Sequence, residues 1–145
     1  MKNNLIGANS QQILFLSQTR DGTVFDKRIA DEENCTFPEG IYLRQDKGFQ
    51  GYAPPGVHIQ QPIKKPRGKE LSDVARWFNA YVGSMRISIE HAISGIKRCR
   101  IVKELCRHNN SNFRDQVMLI CTALHNFRVQ SPFRAYKSSH TWARD

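Results

Sequence analysis

Apolar residues fall in short runs in the first half of the chain and in helical stripes in the second. Leu5-Ile6-Gly7-Ala8 reads as a short strand, Asn9-Ser10-Gln11 as a turn, and Ile13 to Ser17 as an apolar run that fits a buried strand. Together they predict a hairpin. Asp21-Gly22 marks a turn before a helix near Val24 to Glu33, with Phe25, Ile29 and Ala30 on its apolar side. Pro38-Glu39-Gly40 turns the chain again. Ile41 to Asp46 then reads as a strand of β-branched and aromatic character that ends in an acid. Lys47 to Tyr52 is a glycine-punctuated loop, and Val57 to Gln61 can form one more short strand.

The segment from Pro62 to Lys69 is broken by prolines and cannot be a regular element. Beyond it the pattern turns helical. Ser72 is placed to cap a helix with Asp73 in its first turn. Val74, Trp77, Phe78 and Tyr81 form one apolar stripe, and Met85, Ile89, Ala92, Ile93, Ile96 and Cys99 a second. Gly83 between them either ends the helix or weakens it by about 1 kcal/mol relative to Ala. A third helix is expected after Asn110-Ser111-Asn112, with Phe113, Val117, Ile120, Leu124 and Phe127 at steps of three and four. Strands precede helices, so the class is α/β or α+β. The tail from Ser131 is polar and reads as frayed.

Charge changes this picture. Residues 1–60 carry six Lys/Arg and seven Asp/Glu, net −1; residues 61–107 carry eleven and four, net +7; residues 108–145 carry five and two, net +3. A neutral first part joined to a basic middle points to a face built for phosphates. A solvated basic helix surface is the plainer reading. The longest apolar run, Val117 to Cys121, is far short of the roughly 20 residues that span a bilayer, so a membrane is not an expected partner. The N-terminal segment lacks the apolar core of a secretory signal. The chain's four cysteines include no C-x-x-C pair, which points to a reduced, intracellular protein.

Two acids are placed for chemistry. Asp46 stands at the carboxyl end of a predicted strand, where open α/β sheets put their ligand sites. Glu90 stands mid-helix with Arg86 four residues before it and Lys97 seven after. Plainer roles exist for both: a local backbone cap for Asp46 and a surface pair with Arg86 for Glu90. Carboxylates bind hard divalent cations, and acids converging on a basic cleft suit metal-assisted phosphodiester chemistry. Other candidates are weaker. His91, Cys99, Cys106 and His108 lack a usual zinc spacing. Cys99 and Cys121 fit helix cores, His125 fits a partly buried structural role, and Trp77, Phe78 and Tyr81 fit a helix core better than a base-stacking platform.

Several blocks carry a resemblance. They are Asp26-Lys27-Arg28-Ile29-Ala30-Asp31-Glu32, Leu43-Arg44-Gln45-Asp46-Lys47-Gly48-Phe49-Gln50-Gly51-Tyr52, Gln61-Pro62-Ile63-Lys64-Lys65-Pro66-Arg67-Gly68, and Arg86 through Ile101. In this order they resemble the DDE-type transposases of bacterial insertion sequences, and most closely the Harbinger-like DDE superfamily endonuclease branch, over Lys2 to Val129.

The resemblance implies an incomplete ribonuclease H-like fold: a small mixed sheet followed by C-terminal helices. It implies a triad of two aspartates and a glutamate holding two divalent metals, Mg2+ or Mn2+. It puts the second aspartate on Asp46 and the glutamate on Glu90, as catalytic and metal-binding residues. Lys64, Lys65, Arg67, Lys69, Arg86, Lys97, Arg98 and Arg100 would hold the DNA backbone. The family's first aspartate lies on a strand upstream of the block that begins here at Lys2. Asp21 and Asp26 follow the second hairpin strand and do not replace it, and Phe25 stands where the family usually has histidine.

The expectation is therefore a truncated or frame-split transposase. Residues 1–130 would be the C-terminal part of the catalytic domain, and residues 131–145 a polar tail. DNA cleavage and strand transfer would belong to the intact family, with this chain inactive alone. Its partners would be DNA and either the upstream transposase fragment or a second transposase chain. Its place would be the cytoplasm, at the nucleoid. The alternative is a non-catalytic basic protein that binds nucleic acid or a transposase.

Overall fold

The computed structural model describes residues 2–103 and 110–131. The chain divides into two compact units. One takes the residues up to Asn4 and Ser17–Ile87; the other takes Leu5–Leu16 and the described residues from Ser88 onward. Among the described residues no helix is long and apolar enough to cross a membrane.

In the first unit, helix α1 spans Asp26–Glu33, strand β3 Tyr42–Arg44 and strand β4 His58–Gln60. The first residues of the chain pair antiparallel with the segment after Ser17, through Lys2 N to Arg20 O and Arg20 N to Lys2 O, both 2.9 Å. This pairing sets the start of α1: Asn4 Nδ2 donates to Asp26 O at 2.8 Å, and Lys2 Nζ lies 3.1 Å from Asp26 Oδ1. Ile29 on α1 is fully buried. Strands β3 and β4 pair in parallel, Leu43 opposite Ile59. A parallel pair needs a crossover of roughly a dozen residues, and the glycine-punctuated loop supplies it. Tyr42 and His58, directly opposite, stack with ring centroids 5.1 Å apart.

Helix α2 spans Asp73–Ile96 without interruption. Ser72 Oγ accepts from Ala75 N at 3.2 Å, the cap that the sequence predicts. Gly83 does not end the helix. In the first unit the side of α2 that is buried carries Ala75 and Val82, while Val74 and Trp77 are 77% and 69% exposed. The expected core stripe is thus corrected in part: Val74 and Trp77 face solvent while Phe78 and Tyr81 are half-buried, and Trp77 stacks on Tyr81 with centroids 5.9 Å apart.

In the second unit, β1 (Leu5–Gly7) and β2 (Ile13–Leu16) form the predicted hairpin. Helix α3 spans Arg100–Lys103 and α4 spans Ser111–Gln130, with Asn110 as its cap through Asn112 N at 3.0 Å. Ile13, Ala92, Ile96 and Cys121 form the core, with Leu5, Ile89, Cys99, Val102 and Val117 packed against it. On α4 the buried residues are Cys121, Thr122 and His125, whereas Ile120, Leu124 and Phe127 of the expected stripe are exposed. Polar side chains do the joining that the bulky apolar residues do not. Asn126 accepts from Ile13 N and donates to Ile13 O, both at 2.8 Å. His125 lies 2.8 Å from Gln11 O through Nε2, and Arg128, which can only donate, reaches its Nδ1 at 3.0 Å. Gly95 makes room for this contact, since a Cβ there would collide with the His125 ring.

Asn126→Ala will leave a backbone donor and acceptor of β2 without partners. Unsatisfied buried groups cost about 1–3 kcal/mol each, so the second unit should lose roughly 2 kcal/mol or more in a denaturant titration. Asn126→Asp, which keeps the acceptor, should lose less.

The α/β class stands, but among the described residues the strands form two two-stranded sheets, one antiparallel and one parallel, in place of the expected small mixed sheet. Each strand pairs with its nearest partner in sequence, across a tight turn for β1–β2 and a short crossover for β3–β4. The tail expected from residue 131 falls almost wholly outside the described residues, as do Cys106 and His108 of the weak zinc candidate.

Candidate functional site

Asp46 follows β3 by two residues. Gln45 before it is buried and ties the loop down, with its N–H bonded to Gln60 O at 3.1 Å and its Nε2 to Tyr52 O at 3.0 Å. Asp46 caps the 3-10 turn Lys47–Phe49, its Oδ1 accepting from Lys47 N at 2.7 Å. The plain capping role read from sequence is therefore real. A second partner joins it: Arg86 on α2 donates from Nη1 to Oδ1 at 3.2 Å and from Nη2 to Oδ2 at 3.3 Å. Gln61 Nε2 donates to the Asp46 carbonyl at 2.6 Å. The Asp46 side chain remains 54% exposed and that of Arg86 28%. The first unit thus presents an acid that is fixed at its base, paired with Arg86 at its tip and half-exposed.

Asp26 supports this loop in a way that sequence reasoning missed. A Cβ added to Gly48 would stand 2.5 Å from Asp26 Oδ2. The glycine is needed for space rather than for backbone conformation, because the Lys2 ion pair holds the Asp26 carboxylate against it. Gly48→Ala should cost about 1–3 kcal/mol through overpacking, measured by urea unfolding. Asp26→Ala in the same chain should recover part of that loss. Equal losses with and without Asp26 would contradict the steric account.

Glu90 lies on α2 in the second unit and is exposed. Of the predicted DNA-contacting residues, Lys64, Lys65, Arg67 and Lys69 belong to the first unit and are all exposed; Lys97, Arg98 and Arg100 belong to the second, where Lys97 and Arg98 are exposed and Arg100 is exposed at the start of α3. Arg86, placed with them from sequence, is engaged with Asp46. His91 is exposed, and no group of three potential metal-ligating side chains occurs among the described residues. Cys121 is a core residue: burial first, and the neighbouring Cys99 second, push its thiol up to about 11. Such a thiol is a packing group and not a nucleophile.

Comparison with known proteins gives two matches. The family model described as DDE superfamily endonuclease matches residues 2–126. The chain is similar to a probable transposase for insertion sequence element IS702 from Microchaete diplosiphon, 27% identical over 125 residues, which is 86% of this chain and 45% of that protein. It therefore spans less than half of that relative's length. No solved structure matches the chain.

Proposed function

Since the chain belongs to the DDE superfamily endonucleases, we propose that it is part of a transposase catalytic domain with a ribonuclease H-like fold, which acts on DNA phosphodiesters. The observation that carries the reading is Asp46: a strand-end carboxylate, fixed by Lys47 N and Gln61 and half-open to solvent. Glu90 is the second acid of the proposal. It follows Arg86 by four residues on α2, which supports a place on the same helix face.

DDE endonucleases work with divalent cations. The donors on this chain fit such an ion in kind. A carboxylate offers roughly four lone-pair sites; in Asp46, Oδ1 accepts from Lys47 N and Arg86 Nη1, and Oδ2 accepts from Arg86 Nη2. Mg2+ is commonly bound by one or two carboxylates plus waters and substrate phosphates, so a set of three protein ligands is not required. Asp46 and Glu90 are the carboxylates that would each serve as a ligand for such a cation, Mg2+ or Mn2+. When bound, it would supply positive charge at the attacking and leaving oxygens of the phosphodiester. The chain's own contribution is to fix Asp46 through its cap and to hold the DNA backbone with the exposed cations.

A second reading is a non-catalytic nucleic-acid-binding protein that pairs with a transposase chain. It is favoured by the engagement of both Asp46 oxygens with Arg86. Nicking of supercoiled DNA with Mn2+ separates the two. On the catalytic reading, the chain supplied with a family segment bearing the first aspartate should nick. Absence of nicking with every such segment would sink the catalytic reading and leave the second.

A further inference from the structure

The basic loop beginning at Lys64 has a fixed origin. Asn79 on α2 accepts from Ile63 N at 2.7 Å and donates to Ile63 O at 3.0 Å. One amide side chain thus satisfies both backbone groups of one residue, which fixes that residue in position and orientation. Two residues earlier, Gln61 donates to the Asp46 carbonyl at 2.6 Å. Asn79 and Arg86 are seven residues apart, two helical turns, and so share a face of α2. Arg86 on that face holds the Asp46 carboxylate. The segment from Gln61 to Ile63 is therefore fastened to the strand-end acid at one point and to α2 at another. Pro62 between them has a fixed φ, which limits slack. Lys64, Lys65, Arg67 and Lys69 follow directly, all exposed.

We infer that Asn79 is a positioning residue for DNA: through Ile63 it sets where the loop cations stand relative to Asp46, so that a backbone gripped by the loop is presented to the acid. This rests on the reading of the chain as a DNA-binding endonuclease domain. Asn79 carries no charge and touches no phosphate in this role; it acts through the loop.

The test is a mutant cycle read by the salt dependence of binding to a fluorescein-labelled DNA duplex. Each phosphate contact contributes about 0.9 to the slope of log affinity against log salt. Neutralising Lys64, Lys65 and Arg67 to Gln should therefore lower the slope by about 3. Asn79→Ala removes no charge, yet should lower the slope by about 1 to 2 as the loop cations lose register. Added to the neutralised chain, it should change nothing further. A slope unaffected by Asn79→Ala, or a loss that adds in full to that of the neutralised loop, overturns the inference. A slope that does not respond to loop neutralisation removes the loop as a DNA grip, and the inference falls with it; that result is distinct from a responsive loop with an indifferent Asn79. If circular dichroism finds the alanine variant unfolded, Asn79→Asp takes its place. It keeps the bond from Ile63 N and loses the one to Ile63 O, and its added charge cancels within the cycle.

Discussion

Asp46→Asn and Glu90→Gln will each reduce divalent-cation-dependent nicking by the complemented chain about a thousandfold, equivalent to about 4 kcal/mol in the barrier. Both changes keep side-chain size. In Asp46→Asn the new amide oxygen would still accept the Lys47 N–H, so the 3-10 turn keeps its cap. What is lost is the negative charge that a hard cation requires, together with one arm of the Arg86 fork, since an amide nitrogen cannot accept from Nη2. DNA affinity should stay level or rise slightly, since each change removes a negative charge from a basic protein. Activity within tenfold of the parent for either variant would remove that residue from the catalytic reading. Loss of DNA binding in step with activity would show that the substitution harmed the fold.

Neutralising Lys64, Lys65 and Arg67 together will weaken DNA binding roughly 10- to 100-fold at moderate salt, by the same factor for every sequence. These residues stand in the segment of net +7 and are exposed. Phosphate contacts position a protein without reading bases, so discrimination between sequences should not move. Parent binding should fall steeply with salt, as counterion release demands. Equilibrium titrations of two unrelated duplexes at several salt concentrations check both points. A sequence-selective loss would mean that the loop reads base edges, and a salt-independent affinity would remove electrostatics as the cause.

Local elements were legible because local pattern decides them. The hairpin β1–β2, the strand before Asp46 and the cap at Ser72 all follow from adjacent residues. The strand-end placement of Asp46 was legible for the same reason. Gly83 was not decidable, because a cost of about 1 kcal/mol is small beside a 24-residue helix. The buried faces were misjudged where size was taken as the guide. Ala75 and Val82 face inward on α2 while Trp77 faces out, and α4 buries Thr122 rather than Phe127; His125, read as a structural residue, is buried as expected. Bulky apolar periodicity marks a face without saying which neighbour is present to cover it.

The polar clamps were invisible for another reason. Asn126 meets Ile13 across 113 residues and Asn79 meets Ile63 across 16. No local rule pairs an amide side chain with a distant peptide. Asp26 was set aside because its position in the chain order does not match the family's first acid. Its contact with Gly48 depends on tertiary packing alone.

The catalytic reading makes Asp46 and Glu90 ligands for divalent cations. Localised backbone cleavage by Fe2+ with ascorbate and peroxide, read by mass spectrometry, decides this, because a bound Fe2+ cuts only the segments close to it. Cuts are expected beside Asp46 and beside Glu90, both suppressed by excess Mg2+, the first lost in Asp46→Asn and the second in Glu90→Gln. A segment left uncut, or a cut that survives the substitution beside it, removes that acid from the catalytic reading.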